Sequence, residues 1–114
     1  MRRNPRAKPK LTIGPATSLK ERSNRPPHEQ SLWRRLLSVD AVCAVFLAAD
    51  YEDTIHVYSV VLEYDSGFYG ELLKQERLVE KEFPHLTFEF HVRAHQGREP
   101  AHAVPFGSQP LFVR

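Results

Sequence analysis

Residues Ile55–Arg93 read IHVYSVVLEYDSGFYGELLKQERLVEKEFPHLTFEFHVR, and the apolar period changes twice within that stretch. Ile55–Tyr64 is dense in Val, Ile and Tyr, the residues that favour a pleated strand. After Asp65, Ser66 and Gly67 the spacing becomes helical, and at 100° per residue Phe68, Tyr69, Leu72, Leu73, Val79 and Phe83 fall on one side of a helix over about Phe68–Phe83. Pro84 stops that helix. From Leu86 to Arg93 strict alternation returns, with Leu86, Phe88, Phe90 and Val92 on one face and Thr87, Glu89, His91 and Arg93 on the other. Strand, helix, strand is the frame on which the rest is hung.

Toward the N-terminus, Ala41–Ala49 is apolar on both parities, as in a strand covered on both faces. The acidic cluster Asp50, Glu52, Asp53 makes a short turn into the next strand, which predicts an antiparallel hairpin. Ser31 is placed to cap a short helix, Leu32–Leu37. Toward the C-terminus Pro100, Pro105, Gly107 and Pro110 break regularity, and Leu111–Val113 closes as an edge strand. The predicted fold class is α+β: a small antiparallel sheet of three to four strands, one main helix across one face, and a short N-terminal helix. The second sheet face then needs a cover, supplied by the Trp33 helix, a second subunit or a partner protein.

The 114 residues bound the chain to one small core, and a single cysteine forms no internal disulfide framework. The net charge of +2 conceals a division. Met1–Arg35 holds ten basic residues against two acidic, or +8, while the remainder holds six against twelve, or −6. Five of nine prolines fall in the first 27 residues, where large apolar side chains are few. Such a segment cannot bury enough surface to offset its chain entropy, so residues 1–29 are read as a disordered, basic, Pro-rich arm and 30–114 as a single α+β domain. The basic start runs into Pro, Lys and Asn rather than an apolar core, so no secretory signal is expected. No run approaches the length of a membrane span, and the expected location is cytoplasmic.

Four sets of residues carry chemistry. Glu76 falls in the middle of the apolar helical stripe, where an unpaired carboxylate is costly. It reads either as a catalytic acid or base with a raised pKa, or as a structural group that snorkels to the helix edge or bonds Tyr58, Ser59 or a strand histidine. Glu89, His91, Arg93 and His95 recur at period two, so their heads are expected to converge on the wet face of one strand. They suit a phosphate or, with His56, a transition metal, or else a solvated edge that discourages strand addition. No Cys pair or His-Glu-x-x-His helix gives local zinc spacing, so no metal and no cofactor is expected. Arg2, Arg3, Arg6, Lys8 and Lys10 are possible phosphate contacts, giving salt-sensitive nucleic-acid affinity, or a solubilising tail. Cys43, among Val42, Ala44 and Val45, reads as a small core residue.

The patterns Asp53-x-x-His56-Val57-Tyr58-x-Val60, Glu76 before Phe83-Pro84, Phe88-x-Phe90-His91-Val92, Gly97-Arg98 and Leu111-Phe112-x-Arg114 resemble those of short uncharacterised bacterial proteins. That resemblance implies an α+β fold and no named activity. The reading of the residues is a non-enzymatic interaction protein that forms a homodimer or binds a protein partner through its second sheet face. A small enzyme using Glu76 or the His91/His95 row, and a nucleic-acid-associated protein acting through the basic arm, are the alternatives.

Overall fold

The computed structural model describes residues 24–114. Helix α1 (Pro27–Leu37) is followed by strands β1 (Val42–Ala49) and β2 (Ile55–Val61), a single 3-10 turn at Ser66–Phe68, helix α2 (Tyr69–Glu82), β3 (Phe88–Ala94), a 3-10 turn at Pro100–Ala103, and β4 (Gln109–Val113). The chain is α+β, with one four-stranded sheet in the order β3-β2-β1-β4.

The sheet is mixed, which corrects the antiparallel expectation. Strand β1 pairs antiparallel with both β2 and β4, but β2 and β3 run parallel, from Ile55 opposite Phe88 to Val61 opposite Ala94. The reason is the link between them. Fourteen helical residues span about 21 Å, close to the roughly 23 Å of a seven-residue strand, so α2 carries the chain back to where β2 began. A strand leaving that end must run the same way as β2.

Helix α1 begins inside the stretch read as arm. Pro27 sits in its first turn, where the missing N–H is no loss and the fixed φ suits the helix. Glu29 in the first turn and Arg34 and Arg35 in the last complement the helix dipole. Ser31 is therefore not the cap. It lies within the helix, buried, and its hydroxyl donates to Glu82 at the end of α2. Arg35 Nε donates to the same carboxylate at 3.0 Å, so the two helices are tied together by one acid. Both helices lie over one sheet face and share its core, where Leu32, Trp33, Leu36, Val45, Val57, Leu72, Val79 and Phe112 are buried. Leu73 departs from the expected stripe and is 44% exposed.

The Trp33 helix thus does not cover the second face. Ala44, Phe46, Tyr58 and Val60 form a separate buried cluster there, packed under Ala103 and Val104 from the segment before β4. The chain itself hides the apolar part of this face, and the motive for a second subunit at that spot falls away.

The β1–β2 turn is closed by Asp50, whose Oδ1 accepts the N–H groups of Glu52 (2.9 Å) and Thr54 (3.1 Å). Asp53 takes the left-handed conformation at φ 63°, which aspartate tolerates better than most residues. At the other end Arg114 reaches back: its Nε donates to Val42 O at 2.6 Å and one terminal nitrogen to the carbonyls of Leu37 and Val39. These are charge-assisted bonds to carbonyls at and beyond the end of α1. Arg114→Ala is expected to cost about 1 to 2 kcal/mol, measured as a fall in the urea midpoint at unchanged slope; no change would mean that water replaces the guanidinium without loss.

Candidate functional site

Beyond the apolar cluster the second face turns polar, and the register explains how. The parallel pairing sets His56 beside Glu89, Tyr58 beside His91 and Val60 beside Arg93. The antiparallel pairing sets Ala48 beside His56, so Asp50, two residues on and on the same face, is the diagonal neighbour of that histidine.

The side chains meet as this lattice requires. Asp50 Oδ2 lies 2.9 Å from His56 Nε2, His56 Nδ1 lies 3.1 Å from His91 Nε2, and Glu89 Oε1 is 3.5 Å from His91 Nε2 and 3.9 Å from His56 Nδ1. The carboxylate of Asp50 holds the His56 proton on Nε2 and leaves Nδ1 as an acceptor. His91 Nε2–H then donates to it. The bond to His56, ahead of its turn amides, lowers the Asp50 pKa below the usual carboxylate range. Partial burial and then Arg93 lower the His91 pKa, which favours its neutral imidazole.

Tyr58 forms the floor. Its ring stacks on His91 with centroids 4.6 Å apart, His56 and His91 stack at 5.4 Å, and the Arg93 guanidinium sits 5.4 Å from the tyrosine centroid. Tyr58 was a possible partner for Glu76, but it lies on the sheet face opposite the helices.

Of the four residues expected to converge, Glu89, His91 and Arg93 share this patch and His95 does not. β3 ends at Ala94, and the His95 Nδ1 instead accepts the Gly97 N–H in the following turn, beside His102. His56 replaces it in the group. Asp50, read as a turn residue in preference to a cation ligand with Glu52 and Asp53, is the member whose tie to His56 was missed; the hairpin register was the signal that could have found it. The missing local zinc spacing loses its force as well, because the ligand types arrive from two neighbouring strands rather than from one motif.

Glu76 is buried, at 6% exposure, in the stripe with Leu72 and Val79. Its Oε2 has no hydrogen-bond partner among the described residues, so the expected bond to Tyr58, Ser59 or a histidine is not made. Burial first, then the nearby Glu80, raises its pKa to about 7. Cys43 is half-buried rather than enclosed. Arg2, Arg3, Arg6, Lys8 and Lys10 lie outside the described residues. A groove of about 600 Å³ lies at one end of the sheet between Arg25, Ile55, Phe106 and Pro110, and none of His56, Tyr58, Glu89, His91, Arg93 or Glu76 lines it. No helix among the described residues is long and apolar enough to cross a membrane.

No protein-family model, curated protein or solved structure matches this chain.

Proposed function

We propose that the chain is a small non-enzymatic binding protein whose working surface is the polar half of the second sheet face. The observation that carries this reading is where the reactive side chains lie. His56, Glu89, His91 and Arg93 converge on a partly exposed strand face, outside the groove beside Arg25 and Phe106, whereas catalysis by such groups calls for a concave, water-excluding pocket. Glu76, the other catalytic candidate, is buried in the helix stripe with Leu72 and Val79 and lines no part of the groove beside Arg25 and Phe106. What remains is a surface offering an arginine and hydrogen-bonding imidazoles, backed by the buried ring of Tyr58. Arginine is among the side chains that anchor binding interfaces.

The test is a photo-reactive residue placed at Thr87, exposed and on the same row as Glu89, with Leu73 on α2 as the control position. In cells the Thr87 probe is expected to give one discrete adduct, weakened by Arg93→Glu, while the Leu73 probe gives none. An adduct at twice 13.2 kDa identifies the partner as a second copy; another mass identifies a different chain. No adduct at Thr87, or equal yields from the two positions, overturns the reading.

A further inference from the structure

We infer that His56, His91 and Glu89 form a binding site for one divalent transition-metal ion of the zinc class. The inference stands whether or not the face also meets a partner. Three donor atoms of suitable type face one another across 3.1, 3.5 and 3.9 Å: His56 Nδ1, His91 Nε2 and Glu89 Oε1. The circle through the corners of such a triangle has a radius of about 2.0 Å, the length of a zinc bond to imidazole or carboxylate. An ion lifted about 0.5 Å from that plane toward solvent keeps all three bonds near 2.1 Å. The three donor atoms already stand at the separations that such an ion needs.

The surroundings fit equally. Asp50 grips the remote nitrogen of His56 at 2.9 Å, which is the carboxylate–histidine–metal arrangement that fixes the tautomer and raises ligand basicity. His56 Nδ1 is thereby left unprotonated, as a metal ligand must be. In the empty site His91 Nε2–H fills the gap between the rings; the ion takes the place of that proton, and His91 then carries its own on Nδ1. Two imidazoles and one carboxylate select zinc, nickel, cobalt or copper over magnesium and calcium, which need shells of oxygen. Glu89 is 58% exposed on its side chain, so the remaining coordination positions open to water or to a donor from a bound molecule.

The experiment is a titration of the chelator-stripped full chain with Zn²⁺ by calorimetry and with Co²⁺ by visible absorption. Binding is expected to saturate at one ion per chain, with the d–d bands of a four-coordinate cobalt, and Mg²⁺ in excess is expected not to compete. His56→Ala and His91→Ala should abolish the saturable phase, and Asp50→Asn, which removes no ligand, should weaken it roughly 10- to 100-fold. His85→Ala, an exposed histidine outside the group, should leave it intact. Circular dichroism checks each fold, and Glu89→Gln at the solvent-facing ligand provides a variant that leaves the core untouched; it should weaken binding at least roughly tenfold. Failure to saturate at one ion, or unchanged affinity in folded His91→Ala and Glu89→Gln, overturns the site.

Discussion

Replacing Trp33 by alanine is expected to destabilise the chain by about 3 to 5 kcal/mol, the cost of truncating a buried large aromatic and leaving its cavity behind. Trp33 is 2% exposed, stacks on Phe112 of β4 with ring centroids 6.1 Å apart, and carries the Arg25 guanidinium over its ring, 5.4 Å from the centroid. It therefore joins the first helix, the last strand and the residues just before α1 in one contact set. A domain of this size has only about 5 to 15 kcal/mol in hand, so the thermal midpoint should fall by roughly 12 °C or more. Far-ultraviolet circular dichroism is the suitable probe, because Trp33 is the sole tryptophan and fluorescence is lost with it. Trp33→Phe, which keeps a stacked ring, should recover more than half of the loss. A cost under about 1 kcal/mol would mean that α1 does not dock and that the folded body begins later than Pro27.

That boundary shows what single-sequence reasoning could and could not see. Strands β1, β2 and β3 and helix α2 were legible because each is long enough for its apolar period to declare itself. The start of α1 was misread because Pro26-Pro27 looks like a breaker, although proline in a first helical turn is favoured. The direction of β3 was missed for another reason: alternation states which side chains share a face, not which way a strand runs. Its direction was implicit in the length of the helical crossover. The cover of the second face came from Ala103 and Val104, two small residues in a proline-rich stretch with no period to read. At the site, period two correctly put Glu89 and His91 together and His56 was named with them, while Asp50 required the hairpin register, a property of two strands jointly. His95 shows the converse error, since parity predicts convergence only as far as the strand extends.

Glu76 supplies the second large effect, and its sign is set by burial without a partner. In the folded chain its pKa is raised to about 7 from an ordinary 4.5. The folded state therefore holds a proton that the unfolded state has released between those values, and linkage makes stability fall as pH rises through that window. Stability contributed by the protonated form is fully present below about pH 4.5 and lost by about pH 7, a change of about 3 kcal/mol at 1.36 kcal/mol per unit. Glu76→Gln keeps the shape and removes the proton, so its stability relative to the parent should climb across the same window. Glu76→Leu should match the parent near pH 5 and exceed it by about 2 to 3 kcal/mol at pH 8, because an apolar side chain replaces an unpaired buried charge. Comparing parent and variants at each pH cancels the titration of the histidines and other acids. A flat difference between parent and Glu76→Gln from pH 4.5 to 8 would show that the carboxylate ionises in the folded chain as it does in water. The stripe of Leu72 and Val79 would then have to rotate far enough to let it out, and the packing of α2 on the sheet described above would be wrong.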